Sequence, residues 1–194
     1  MRAELAGPVD IDVVERNQRV HSRRAALDDL ATRCSRRGYR IAYDLLNNAN
    51  DAEDALQEAL ARACDGYGRV RDPDVLDAWF FRVLTNVCLK VLRRRRVGRA
   101  LSALWPGERV DCDDAIPDPE PAADESIARA RRTRRLLRAI ETLPAMQKAA
   151  VVLRYGHELS VEETAEMLGV GHGTAKTHLS RALRRLRSEL EETR

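Results

Sequence analysis

The sequence predicts an all-α protein with two small helical domains joined by a flexible, acidic, proline-rich linker, the second domain containing a helix-turn-helix. Aromatic residues make up only 4% of the 194 residues, so the core must be built mainly from Leu, Val, Ile and Ala, which favours helices over a β-sandwich. Apolar residues recur at intervals of three and four along most of the chain. This pattern is lost over residues 97–125, where prolines and acids are concentrated, and that segment is the predicted linker.

The first domain is predicted to span residues 23–96. Residues 1–22 are polar and show no sustained period, so we expect a disordered or partly ordered extension there. Helical spacing starts at about residue 23 and continues to residue 46, and Gly38 is expected to separate or kink the helical segments.

Two further helices complete this domain. Asp51 is expected to be the N-cap of the next helix, and residues 66–74, which contain glycine and proline, are expected to end it. A strong helix is then predicted from Asp77 to about Arg96. The helix after Asp51 carries a polar face opposite its apolar stripe, formed by Glu53, Asp54, Gln57 and Glu58.

The helix from Asp77 carries a second polar stripe, with successive members three, four, four and three residues apart: Trp79, Arg82, Asn86, Lys90 and Arg93. One aromatic ring, one amide and several cations on one face meet the needs of a surface for single-stranded or melted DNA, namely base stacking, hydrogen bonds to base edges and phosphate contacts. Alternatively, Trp79 belongs to the core and the arginines are a solvated helix end, where the helix dipole favours cations. These residues alone support the two interpretations equally.

Charge is strongly segregated along the chain, although the formal net charge is only +3. Residues 82–99 contain seven basic residues and no acid, whereas residues 108–125 contain eight acids and one arginine. Such separation indicates polyanionic partners more clearly than the total charge does.

The second domain, residues 126–194, contains the clearest local motif of the chain. Ser160 and Glu163 have the spacing of a capping box, and Gly169 is placed to end the short helix that follows with a positive φ. After a turn, Thr174 is expected to cap a second helix. These features predict a helix-turn-helix over residues 160–187.

The outer face of the second helix carries hydrogen-bond donors and cations, with no acid between residues 176 and 187: Lys176, Thr177, Ser180, Arg181 and Arg184. A recognition helix in the major groove needs such side chains for base edges and phosphates. The alternative is an ordinary helical hairpin with a solvated basic face. The coincidence of capping box, glycine turn and acid-free face favours the DNA-binding interpretation.

The sequence offers little for catalysis or for a cofactor. The four cysteines are widely spaced and form no Cys/His cluster, so buried free thiols are favoured over a metal site. We expect no catalytic residues and no cofactor, since paired carboxylates in a cleft pattern, nucleophile–base arrangements and phosphate-binding glycine loops are not found. We also expect a cytoplasmic protein with no membrane insertion, because no signal peptide or long apolar stretch is present.

Three segments together resemble the extracytoplasmic-function (ECF) type of RNA polymerase sigma factor, of the sigma-70 family. Residues 51–58 (DAEDALQE) resemble the segment that binds core polymerase. Residues 79–86 (WFFRVLTN), with the arginines at 93–95, resemble the segment that opens and reads the −10 element. Residues 143–187 resemble the domain that reads the −35 element. The resemblance covers about residues 25–96 and 126–190.

The resemblance implies partners and roles for particular residues. Core RNA polymerase would be contacted at its clamp, by Asp54, Gln57 and Glu58, and at its flap. Promoter DNA would be bound at −10 by Trp79, Arg82, Asn86, Lys90 and Arg93, with the loop over residues 65–76 holding a flipped-out base. It would be read at −35 by Lys176, Thr177, Ser180, Arg181 and Arg184. The linker would run through the polymerase, and an anti-sigma factor would hold the protein silent. Ala175 and Ser180 are smaller than is usual in the family, which bears on promoter sequence.

Two other functions are compatible with a helix-turn-helix. One is a self-sufficient transcriptional regulator, dimeric on a palindromic site, and the other is a transcription-associated scaffold that binds polymerase without reading promoters. The self-sufficient regulator has no use for the polar face at Asp54, Gln57 and Glu58. We therefore expect a sigma factor, and binding to core polymerase is the property that separates it from a regulator.

Overall fold

The computed structural model describes residues 11–66, 75–104 and 124–192. These residues form seven α-helices and one π-helical turn, and no β-strand occurs among them. The helices are α1 (Ile11–Leu46), α2 (Ala49–Gly66), α3 (Leu76–Leu104), α4 (Asp124–Thr142), α5 (Ala145–Val151), α6 (Val161–Leu168) and α7 (His172–Glu192), and the π-helical turn Val152–Gly156 follows α5. The all-α prediction is confirmed.

Helices α1, α2 and α3 pack on one another as an N-terminal bundle. Its interior is formed by leucines and alanines with Phe80, which is fully buried. A second group is built around α5, whose last five residues are all buried, with α6, α7 and the π-helical turn packed against it. The two groups also touch each other, since α3 packs against α5 and α6 and α1 packs against the π-helical turn.

Gly38 does not separate two helices, because α1 continues through it without interruption. A Cβ atom at Gly38 would lie 3.1 Å from Leu56 Cδ1 and 3.2 Å from Leu84 Cδ2. The glycine therefore lets α1 approach α2 and α3 closely. The expectation of a break was wrong because a helix-breaking tendency of about 1 kcal/mol is easily outweighed by tertiary packing.

Replacing Gly38 by valine is expected to lower the free energy of unfolding by about 1–3 kcal/mol, because the added atoms overpack the junction of three helices. Urea denaturation followed by circular dichroism measures the change. The matched control is Gly98→Val in α3, where an added Cβ would meet nothing within 4 Å. Equal stability of the two variants would contradict the close approach at Gly38.

The start of α2 differs from the prediction by three residues. Asn48 is the cap, since its side-chain Oδ1 accepts a hydrogen bond of 2.8 Å from the backbone N–H of Asp51. Asp51 lies within the first turn and pairs with Arg95 of α3. Arg95 also donates to the carbonyl of Leu46, at 2.6 Å. This arginine therefore joins the end of α1, the start of α2 and the middle of α3.

Two segments expected to lack regular structure are partly helical. Helix α1 begins at Ile11, inside the predicted extension 1–22, and α3 continues to Leu104, eight residues past the predicted end of its helix. Both stretches contain residues of weak helix propensity, Asn17 and Ser22 in the first and Gly98 in the second, so local signals alone did not predict a helix there. Residues 1–10, the linker segment 105–123 and residues 67–74 of the predicted −10 loop lie outside the described residues.

Candidate nucleic-acid and protein interfaces

The helix-turn-helix prediction is confirmed at both ends of α6. Glu163 donates its backbone N–H to Ser160 Oγ at 3.1 Å, and Ser160 donates its own to Glu163 Oε2 at 2.7 Å, which is a complete capping box. Gly169 has a φ of 66° and donates to the carbonyl of Glu166, while Val170 donates to that of Ala165. These two bonds form a Schellman motif, which ends α6 and directs the chain into the turn.

Helix α7 begins earlier than expected. The backbone N–H groups of Thr174 and Ala175 donate to the carbonyl of Gly171, at 2.9 and 3.0 Å, so the helix starts at His172. Thr174 lies in the first turn and is not the cap. Gly171 is therefore the N-cap of α7. Glycine occurs at N-caps but is less favoured there than Ser or Asp, so the sequence analysis placed the cap at Thr174 instead.

One side of α7 is buried and the other is exposed. Ala175, Leu179, Ala182 and Leu186 are buried against the rest of the C-terminal helices. Ala175 is fully buried, so its small size matters for helix packing and it cannot touch a promoter directly. The five side chains predicted for −35 contact are all exposed, and we call them the α7 face: Lys176, Thr177, Ser180, Arg181 and Arg184.

A carboxylate that the sequence analysis did not single out lies beside the α7 face. His172 Nε2 is 2.8 Å from Glu162 Oε1, which joins the first turns of α6 and α7. A backbone hydrogen bond at Glu162 and the nearby His172 hold the pKa of the Glu162 carboxyl below its usual value. Glu162 is therefore ionised at neutral pH, and it orients the imidazole of His172 at the start of α7.

The three side chains predicted for polymerase contact lie together on the exposed side of α2, and we call them the α2 face: Asp54, Gln57 and Glu58. Four alanines on the other side of α2 are buried, which fixes the orientation of the helix. Glu58 pairs with Arg62 one turn later, at 2.6 Å. The α2 face thus presents carboxylate and amide groups to solvent.

The predicted −10 residues separate into two kinds. Four are exposed side chains of α3, and we call them the α3 face: Arg82, Asn86, Lys90 and Arg93. Trp79 is only partly exposed, because its six-membered ring lies against Gly66, where a Cβ would be 2.8 Å from Cζ2 and Cη2. The structure therefore favours the core interpretation for most of the Trp79 ring.

Replacing Ser160 by alanine is expected to lower the free energy of unfolding by about 1 kcal/mol, because the N–H of Glu163 loses its side-chain acceptor. Thermal unfolding at several urea concentrations measures the loss. Ser35→Ala in α1 is the control, since the Ser35 hydroxyl donates to the carbonyl of Ala31 inside a helix, where alanine is favoured. A destabilisation no larger than that of the control would show that the capping box contributes nothing.

Two family models match the chain. Sigma-70 region 2 matches residues 30–97, and sigma-70 region 4 matches residues 133–186. An RNA polymerase sigma-E factor of Streptomyces antibioticus is 37% identical over 141 residues, which are 73% of this chain and 71% of the relative. The ECF RNA polymerase sigma factor SigM of Mycobacterium tuberculosis is 34% identical over 163 residues, which are 84% of this chain and 76% of the relative.

Two solved structures share the fold. One is the sigma factor RpoE from Bartonella quintana, in complex with the anti-sigma factor NepR, with a TM-score of 0.54 and 24% sequence identity. The aligned region covers 93% of this chain and 99% of RpoE. The other is CnrH, in complex with the cytosolic domain of CnrY, with a TM-score of 0.54 and 18% sequence identity. The aligned region covers 87% of this chain and 90% of CnrH.

Within the described part of the chain, no helix is long and apolar enough to span a bilayer.

Proposed function

The chain belongs to the extracytoplasmic-function group of the sigma-70 family of RNA polymerase sigma factors, and we propose from this premise that it binds core RNA polymerase in the cytoplasm and directs initiation at promoters that carry matching −35 and −10 elements. The polymerase supplies the chemistry of RNA synthesis. This protein supplies recognition and has no catalytic residue of its own.

The observation that carries the proposal is the presence of three chemically different exposed faces on one chain. The α7 face is cationic and belongs to a complete helix-turn-helix. The α3 face combines cations with one amide, and the α2 face is acidic. A DNA-binding regulator needs the first of these faces, whereas a promoter-specific initiation factor has a use for all three.

We assign polymerase binding to the α2 face, with the clamp as its target, and a further contact of the C-terminal domain to the flap. Carboxylates that are exposed on a rigid helix suit a basic partner surface. Because Asp54 and Gln57 project from the same exposed side as Glu58, one partner helix can contact all three.

We assign duplex contacts at −35 to the α7 face and contacts with the melted −10 strand to the α3 face. Arg181 and Lys176 supply the cations that phosphate and guanine contacts need. On the α3 face, Asn86 supplies the donor and acceptor for a base edge, and its three basic residues supply phosphate contacts. Trp79 contributes at most the exposed edge of its ring to this surface.

We further propose residues 23–96 and 126–194 as the two functional domains, with residues 97–125 as the connection that passes through the polymerase. An anti-sigma factor that covers the polymerase-binding and DNA-binding faces would keep the protein silent until a signal removes it.

The rival function is a self-sufficient helix-turn-helix regulator. Gel filtration of the chain with core polymerase, followed by promoter binding with and without core, separates the two functions. We expect a one-to-one complex with core and specific promoter binding only in its presence. Failure to bind core, together with tight unaided binding to a palindrome, would falsify the proposal.

A further inference from the structure

A carboxylate and an imidazole join the starts of the two helices of the helix-turn-helix. Glu162 is the second residue of α6, and His172 is the first residue of α7. Glu162 Oε1 lies 2.8 Å from His172 Nε2, and the same carboxylate interacts electrostatically with Lys176. We call these two residues the Glu162–His172 pair, and it lies at the end of the α7 face that Lys176 occupies.

His172 extends one row of the α7 face. It precedes Lys176 by four residues, and Lys176 precedes Ser180 by four, so the three side chains follow one another along the same side of the helix. The His172 side chain is 43% exposed, which leaves the ring accessible to a ligand. A duplex that contacts Lys176 and Ser180 therefore lies within reach of His172 as well.

The position of the Glu162–His172 pair favours the sugar–phosphate backbone of DNA over the base edges. In a helix-turn-helix complex, the second helix enters the major groove and the first helix crosses the backbone beside it. Because the pair spans the starts of both helices, it lies where the groove meets the backbone. We therefore expect a phosphate oxygen beside the ring.

The ionised carboxylate of Glu162 is unfavourable at such a place by itself. A backbone hydrogen bond at Glu162 and the nearby His172 hold the pKa of this carboxyl below its usual value, so it is charged at neutral pH and would repel a phosphate. It acts differently through His172. A carboxylate has no hydrogen to donate, so it accepts one from the ring, and Nε2 must therefore carry a hydrogen.

This hydrogen bond determines the chemistry of the other ring nitrogen, Nδ1. In the neutral ring, the hydrogen on Nε2 leaves Nδ1 as an acceptor, which cannot bind a phosphate oxygen. In the charged ring both nitrogens carry hydrogens, so Nδ1 can donate to a phosphate while Nε2 stays bonded to Glu162. A phosphate contact at Nδ1 therefore requires the charged ring, and histidine is the side chain that changes its charge between about pH 5 and pH 8.

The charged groups beside the ring come from α6 and α7 themselves. They are Glu162 and, one turn along α7, Lys176. Glu163 of α6 is turned back to the capping box. Helix α4 joins α7 near its other end, where Arg135 donates to the carbonyl of Leu190, and the lysine of α5 is buried in an ion pair with α4. One acid, one base and a bound phosphate therefore govern the charge of the ring.

We propose that His172 is a further −35 contact, which binds a DNA phosphate through Nδ1 in its charged form, and that Glu162 is the residue that positions it. The Glu162–His172 pair couples promoter binding to pH, because the ring takes up a proton from solvent when the phosphate binds. This inference rests on the −35 role proposed above for the α7 face.

The pH dependence of promoter binding tests the role of His172. The full chain in complex with core polymerase is titrated onto a labelled duplex that covers the −35 element of a start site mapped with the same complex. Between about pH 8 and pH 6, we expect the affinity of the parent to rise about fivefold more than that of His172→Gln. His172→Arg, which is charged throughout, should bind at both pH values as tightly as the parent binds at the lower one. Equal pH dependence of the parent and His172→Gln would overturn the proposal.

Glu162→Ala tests the positioning role. Without the carboxylate, a neutral ring can carry its hydrogen on Nδ1 and donate it to the phosphate, so the pH dependence should fall at least about twofold. Glu166→Ala is the matched control, since it removes an exposed carboxylate one turn later on α6 and should keep the full pH dependence. In a chain that also carries His172→Gln, the two alanine variants should have equal effects. Equal effects in the presence of His172 would overturn the assignment to Glu162.

Single methylphosphonate substitutions in the duplex, each of which removes one phosphate charge, identify the contact. We expect one position at which the substitution weakens binding of the parent about fivefold and leaves binding of His172→Gln unchanged. The absence of any position with a loss that depends on His172 would overturn the phosphate contact. Arg181→Ala separates the two levels of the account: if it also leaves binding unchanged, the −35 role of the α7 face is wrong, whereas a loss in Arg181→Ala alone contradicts only the role of the Glu162–His172 pair.

Discussion

Reversing two charges of the α2 face, with Asp54→Lys and Glu58→Lys together, is expected to weaken binding to core RNA polymerase by at least about 100-fold, because a complementary charged contact becomes a repulsive one at the centre of an interface. Both side chains are exposed and face away from the buried alanines of α2, so the fold should be retained. Binding is measured by titrating labelled protein with core polymerase, and retention of the fold by thermal melting.

Asp28→Lys with Glu191→Lys is the matched control for this variant. It makes the same change in net charge at exposed positions of α1 and α7, outside the α2 face. We expect the control to bind core within about twofold of the parent, since scattered surface charges contribute little to a specific interface. Similar loss in both variants would mean that net charge, and not the α2 face, governs the interaction.

Replacing Arg181 by alanine is expected to reduce transcription from a −35-dependent promoter by about 5- to 100-fold, the equivalent of losing one bidentate base contact worth about 1–3 kcal/mol. The α7 face holds Arg181 exposed one turn beyond Thr177, whose hydroxyl donates to the carbonyl of Gly173 at 2.9 Å. Run-off transcription with saturating core polymerase measures the loss, so that core binding does not limit the signal.

Two companion variants sharpen this result. Arg138→Ala removes an equal charge from an exposed position of α4 and should leave transcription nearly unchanged. Lys176→Ala should weaken binding to all promoters alike and lower the salt slope by about one, as expected for a phosphate contact. If Arg181→Ala also weakened all sequences equally, Arg181 would be a phosphate contact and the base assignment would be wrong.

The features that were predicted correctly are those specified by a few neighbouring residues. The capping box at Ser160 and the positive φ at Gly169 depend on local hydrogen bonds, and their sequence signature is therefore sufficient. The exposed α2 and α7 faces followed from helical periodicity, because the buried alanines and leucines fix which side is turned outward.

The features that were missed depend on residues far apart in the chain. Gly38 was expected to interrupt α1, yet its role is to admit Leu56 and Leu84, which no local rule reports. Arg95 was included in a basic run for DNA, but it bonds to Leu46 and Asp51 instead. The cap of α2 was misplaced because Asn48 and Asp51 are both good capping residues and only the fold decides between them.

The contact between the two groups of helices is the largest feature that the sequence analysis did not predict. It consists of Arg82 on the end of α6, His157 beside Asp44, and a polar surface of α5, none of which has an apolar periodicity. Interfaces of this composition are as polar as ordinary protein surface, so the sequence gives no sign of them.

The central claim is that this sigma factor selects promoters for a polymerase that cannot do so alone. The most direct measurement is the sequencing of RNA 5′ ends made on genomic DNA by core polymerase with and without this protein. We predict discrete start sites that appear only with the protein and share two conserved elements upstream, at the −35 and −10 spacings. Start sites that are unchanged by the protein, or that lack any shared upstream sequence, would contradict the account.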